Sequence, residues 1–186
     1  MNKRPGMILD ASCLINLYAS GRLREIALTA SHWFGVSDYV LEVEALYIWP
    51  SDLSDHEQAR APISLSSLTD EGIIRVLSLK GPDEEATFVK LAAYIDDGEA
   101  VTGSIAIHRG YVVATDDRKA RRVLAEQVPP IGLIGTLELM KAWVDHAKIT
   151  TAEAREALKA IQSDASYVPS RRQPLFAWWN SIVTGN

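Results

Sequence analysis

The sequence predicts an α/β chain, a three-layer α/β/α domain around a mainly parallel central sheet. Two stretches carry that prediction. Met7, Ile8 and Leu9 form a short, wholly apolar run that ends at Asp10 and gives way to a helical pattern of Leu14, Ile15, Leu17 and Tyr18 around Asn16. Tyr111 to Ala114 repeats the arrangement, running into Thr115, Asp116 and Asp117 before a helix that starts near Arg118. A wholly apolar run of this length reads as a strand buried on both faces, as in parallel sheets. A third observation is size: 186 residues, 47% of them hydrophobic, supply a full core for one domain.

The other elements follow in order. Ser20-Gly21 gives a turn, and Leu23, Ile26, Ala27 and Ala30 predict a short helix ending near His32. Trp33 to Ser37 reads as the second strand, with Ser37 or Asp38 capping a helix in which Val40, Val43, Ala45, Leu46 and Tyr47 are the apolar positions. Trp49 to Pro62, which contains His56, is polar and bracketed by prolines, the signature of an exposed connection. Ile63 to Leu68 and Ile73 to Leu79 read as two short strands, a small edge ribbon around a turn at Thr69 to Gly72. A helix is expected over Asp83 to Tyr94. After the turn at Asp96-Asp97-Gly98, Glu99 opens another that Gly110 ends. Pro129-Pro130 breaks the chain, Ile131 to Ile134 is the last strand and Thr136 to His146 a helix. Thr150 with Glu153 forms a capping box for a helix reaching about Gln162. The tail, with Arg171, Arg172, Phe176, Trp178 and Trp179, reads as a strap on the domain or a contact surface, the alternative being that Arg171 and Arg172 beside Trp178 and Trp179 offer charge and stacking to single-stranded RNA.

Composition narrows the function. A net charge of −5 argues against a generally basic surface for nucleic acid, yet acids gathered in one metal site would produce that charge and leave basic patches elsewhere. No apolar stretch approaches the ~18 residues of a membrane span, and the N-terminal apolar run is too short for a signal-peptide core. A soluble, cytoplasmic protein without membrane contact is expected. The single cysteine, Cys13, sits in an apolar helical pattern and is expected to be a small buried side chain.

Open α/β sheets bind ligands outside the carboxyl ends of their strands. The reading above brings to that edge Asp10, one of Glu42 or Glu44, Asp97 or Glu99, and Asp116 with Asp117. Two unit charges about 4 Å apart repel by roughly 4 kcal/mol at an effective dielectric near 20, and a divalent cation removes that cost. An all-oxygen donor set suits Mg2+ or Mn2+. Zinc is disfavoured because His32, His56, His108, His146 and Cys13 lack ligand spacing. Nucleophilic motifs, a P-loop and a G-x-G-x-x-G turn are absent. What remains is metal-assisted phosphoryl chemistry. The run Arg118, Lys119, Arg121, Arg122 directly after the last acids is placed to hold substrate phosphates, or else forms a solvated helix face.

In this order, I-L-D-A-S-C-L-I-N-L, E-A-L-Y-I, D-D-G-E-A and V-V-A-T-D-D-R-K-A-R resemble the motifs of the PIN-domain family, over roughly residues 6 to 146. The resemblance implies the family's metal-dependent ribonuclease activity, known also from the VapC toxins of bacterial toxin-antitoxin pairs. By position it makes Asp10 the first acid, Glu44 the second, Glu99 the third and Asp116 or Asp117 the fourth. All five are the candidate catalytic and metal-ligating residues. Ser12 resembles the small polar residue that follows the first acid and Thr115 the threonine before the fourth; with Arg118, Lys119 and Arg121 they form the candidate substrate contacts.

Residues 1–146 are then a PIN-like nuclease domain with an insertion near 49–82, and 147–186 a helix and tail packed on it or extending it. The implied partners are RNA, a small antitoxin if the chain is a toxin, and a second copy of the chain in a homodimer. Two other readings stay open: a PIN-like scaffold that binds RNA or protein without cutting, and a phosphohydrolase on small substrates.

Overall fold

The computed structural model describes residues 4–44, 46–50 and 60–185. In chain order, β1 (Gly6–Leu9) leads through α1 (Ala11–Ala19) and α2 (Leu23–Thr29) to β2 (Trp33–Ser37) and α3 (Asp38–Glu42). A two-stranded antiparallel ribbon, β3 (Tyr47–Ile48) with β4 (Ala61–Pro62), precedes α4 (Ser66–Asp70) and β5 (Ile74–Leu77). Then come α5 (Gly81–Ala92), α6 (Asp97–Arg109), β6 (Val112–Ala114), α7 (Arg118–Ala125) and β7 (Leu133–Ile134). The chain closes with α8 (Thr136–His146), α9 (Thr151–Asp164) and α10 (Phe176–Thr184).

The main sheet has the order β5-β2-β1-β6-β7, and every neighbouring pair in it is parallel. Successive strand residues face opposite sides, so the two halves of the core alternate along β1. Met7 and Leu9 belong to the cluster under α1, α2, α8 and α9, while Ile8 belongs to the cluster under α5, α6 and α7. This is the three-layer α/β/α architecture the sequence predicts. From β1 the chain winds outward through β2 to β5, then returns to β6 on the other side of β1. The switch point therefore lies between β1 and β6, whose carboxyl ends carry Asp10 and Thr115 to Asp117.

The structure corrects three expectations. Ile63 to Leu68 is not a strand: Leu65 and Leu68 are buried three residues apart, on the inner side of the single turn of α4. The following strand is not half of an edge ribbon either, because β5 pairs with β2 as the edge of the main sheet. The helix after β2 ends at Glu42 rather than running through Tyr47, which enters the β3–β4 ribbon instead. Ser37, not Asp38, caps it, its hydroxyl accepting from the Val40 amide at 3.2 Å. His56 and most of the proline-bracketed connection lie outside the described residues.

Elsewhere the local signals locate the elements closely. Gly110 ends α6 in the left-handed conformation, φ 65°, where a side chain would be strained. Thr150 and Glu153 make both bonds of the capping box that opens α9. Ala157, Leu158 and Ile161 of α9 enter the same buried cluster as α1 and α8, and Trp179 of α10 is 6% exposed. Cys13 is fully buried. No described helix is long and apolar enough to cross a membrane.

Candidate active site

Asp10 occupies the N-cap position of α1, but its carboxylate makes no cap bond. It turns instead across the switch point, where Oδ2 accepts the Ser12 hydroxyl at 2.8 Å and the Thr115 hydroxyl at 3.0 Å. The Asp10 amide donates to the Ala114 carbonyl at 2.9 Å, which fixes the two strand ends side by side. Ser12 and Thr115 thus hold the Asp10 carboxylate in this orientation. At 4% exposure the Asp10 carboxyl is pushed above its ordinary value by burial, and the Ser12 and Thr115 hydroxyls oppose that rise.

Glu44 and Glu99 face the same open crevice, a cavity of about 660 Å³ that Asp10, Ser12, Asp96 and Asp117 also line. Burial and then the charge of Asp10 hold both glutamates up to about 7; Asp96 adds to each, and Asp117 to Glu99. Glu42 is exposed and does not line this crevice, so of the two candidate second acids the structure brings Glu44 to it. Glu44 is seated over the first turn of α6 because Gly98 has no side chain: a Cβ there would stand 1.6 Å from Glu44 Oε1. Glu99 also has a local bond, accepting the Asp96 amide at 3.1 Å in the returning half of a capping box. Asp97 is at the rim and accepts the Tyr39 hydroxyl at 3.2 Å.

Asp116 and Asp117 part company. Asp117 caps α7, one oxygen accepting the Lys119 and Ala120 amides at 2.7 and 2.8 Å, and it also lines the acidic crevice. Asp116 points to the other side, into a knot with Asn16 Nδ2 (3.1 Å), the Thr136 hydroxyl and amide, Cys13 Sγ (3.5 Å) and the Tyr167 hydroxyl (3.4 Å). Burial and Asp116 together push the Tyr167 hydroxyl well above its ordinary value. Sequence reasoning missed Asp96 and this knot. Asn16 was the available signal, a polar residue set among apolar ones on a helix face.

The basic run divides as well. Arg118 and Arg121 line a second cavity beside Asp116, whereas Lys119 is exposed and lines neither. Arg121 also donates to the Thr115 carbonyl at 3.0 Å.

A family model described as a PIN domain matches residues 6–173. The chain belongs to the PIN-domain family. No curated protein and no solved structure matches it. PIN domains are in general nucleases that use divalent metals, and the crevice of this PIN domain has the chemistry for one. Its donors are carboxylate oxygens, hard ligands for a hard cation, and two of them are raised, first by burial and then by the neighbouring negative charge that a cation would offset. As the side chains stand they are splayed, and among the described residues no three His, Cys, Asp or Glu are grouped to hold an ion.

The seating of Glu44 yields a prediction for this PIN domain. Gly98→Ala improves helix propensity by up to about 1 kcal/mol but forces Glu44 off its seat. Calorimetric titration with Mn2+ is expected to show about tenfold weaker binding, the scale of a lost supporting contact, in a protein that melts no lower than wild type. Unchanged Mn2+ affinity removes Glu44 from the ligand set.

Proposed function

We propose that this PIN domain is a Mg2+- or Mn2+-dependent endoribonuclease. The observation that carries the proposal is the meeting, at the switch point, of Asp10 after β1 and Asp117 after β6 with Glu44 and Glu99 from α3's end and α6. Asp10, Glu44, Glu99 and Asp117 would hold the ion. When bound, it supplies charge neutralisation at the scissile phosphate and activation of water. Asp116 stands as a positioning residue, since its carboxylate is taken up by Asn16, Thr136 and Tyr167. Ser12 and Thr115 keep Asp10 aimed into the crevice, and Arg118, Lys119 and Arg121 supply positive charge for the flanking backbone.

The finer biological reading is a toxin whose small antitoxin covers the acidic crevice, with a basic side chain among the carboxylates. The scaffold reading draws on one observation, the splayed carboxylates.

One assay separates these readings. A labelled single-stranded RNA, its DNA counterpart and a mononucleotide ester are incubated with Mg2+, Mn2+ or EDTA. The proposal expects internal cuts in RNA with metal and none with EDTA. Binding without cutting would establish the scaffold, and turnover of the ester alone the small-substrate phosphohydrolase.

A further inference from the structure

The second cavity, of about 290 Å³, lies between the first turns of α7 and α8 and the segment that leads into α10. Its cationic lining is Arg118, Arg121 and Arg172, and Leu137, Pro174 and Leu175 supply apolar walls. Its border also carries two carboxylates, Asp116, hydrogen-bonded by the neutral donors of the knot, and Glu138, beside Arg121 at 3.9 Å, so the three guanidiniums leave the lining net cationic. Arg118 and Arg172 form no salt bridge with any described residue. The cavity therefore presents two guanidiniums without a salt-bridge partner among the described residues beside an apolar wall, the combination that holds a phosphate by bidentate hydrogen bonds and a ribose or base by contact. Its volume sits at the small end of ligand pockets, around 300 Å³, room for a single nucleotide unit.

Its position gives the cavity a role. Asp117 lines the acidic crevice and Asp116 lines this cavity, and consecutive Cα atoms are about 3.8 Å apart. A strand laid over Thr115 to Arg118 would enter both. We propose that the Arg118–Arg172 cavity is a subsite for the nucleotide that flanks the scissile phosphate, so that the C-terminal segment Ser170 to Leu175 is part of the substrate site. This rests on the nuclease reading and extends it. The enzyme takes a polynucleotide because one phosphate must lie among the carboxylates while its neighbour lies among the arginines.

The test is binding of a fluorescein-labelled 12-nucleotide single-stranded RNA by anisotropy in EDTA over a range of NaCl, with Arg172→Ala, Arg118→Ala and, as a charge control at an exposed residue of α5 that lines neither cavity, Lys90→Ala. Each arginine variant is expected to weaken binding about fivefold and to flatten the salt slope by about 0.7, one phosphate contact on a single strand, while Lys90→Ala leaves the slope unchanged. Arg172 is exposed, so its variants should melt as wild type does. In Mg2+ or Mn2+, Arg172→Ala should raise KM for the 12-mer with kcat intact, Arg172→Lys should recover part of the loss, and hydrolysis of bis(p-nitrophenyl) phosphate, which has no flanking nucleotide, should not change. Wild-type cleavage with Arg172→Ala indistinguishable from it, or an equal loss in Lys90→Ala, overturns the subsite alone. No binding and no cleavage by wild type overturns the nuclease reading and the subsite together.

Discussion

Replacing Asp10 with Asn is expected to reduce metal-dependent RNA cleavage by about 1,000-fold or more, roughly 4 kcal/mol of transition-state stabilisation, without unfolding the chain. Asn keeps the size of the side chain, and the Ser12 and Thr115 hydroxyls that now donate to Oδ2 can serve an amide as donors or acceptors. The substitution also removes a negative charge that, after burial, raises both Glu44 and Glu99. In EDTA the variant should therefore melt at or above the wild-type temperature. The two effects together are diagnostic: a residue that merely supported the fold would lose activity and stability in parallel. The measurement is cleavage rate and thermal melt on the same preparation, and retained cleavage in Asp10→Asn removes it from the catalytic set.

The same residues show what a sequence discloses. Asp10 and the Thr115-Asp116-Asp117 run were legible because the signal is local: an apolar run stops at an acid where a helical period starts, and this happens twice. Capping chemistry was equally local at Gly110 and at Thr150 with Glu153. The membership of β5 in the main sheet was not legible, because its pairing to β2 joins residues some forty positions apart and neither strand encodes its neighbour. Short elements failed for a related reason. Ile63 to Leu68 alternates apolar and polar residues as a strand would, and only burial of Leu65 and Leu68 against the core decides for a turn of helix.

Within the site, the choice between Glu42 and Glu44 turned on where α3 stops and on the missing side chain at Gly98, fifty-odd residues later. The choice between Asp116 and Asp117 turned on partners equally remote. Asp117 can cap α7 and still face the crevice, whereas Thr136 and Asn16 draw Asp116 to the opposite side. Sequence order announced the acids; the topology decided which of them meet.

The second large effect is on stability against pH. The folded chain holds Glu44 and Glu99 up to about 7, against an ordinary value of 4.5. Between those values the folded protein keeps protons that the unfolded chain has released, so raising the pH through this window favours unfolding. Both groups are half-buried, and after discount for solvent screening the pair is expected to cost about 2 kcal/mol between pH 5 and 8, a fall of about 4 to 8 °C in Tm for a chain of this size. Burial lowers His32, which acts in the opposite sense and so can only reduce the fall. The fall between pH 6.5 and 8 in EDTA thus belongs to the carboxylates.

Mg2+ or Mn2+ at about 100 times its dissociation constant should return about 2.7 kcal/mol at pH 8 and much less at pH 5, where Glu44 and Glu99 are protonated and must lose their protons to bind it. Asp10→Asn should make the EDTA profile shallower, leaving the part due to burial of Glu44 and Glu99, and abolish the metal-dependent gain. A Tm that is level across this window in EDTA, or a metal effect as large at pH 5 as at pH 8, would mean that the acids of the crevice neither repel one another nor share an ion.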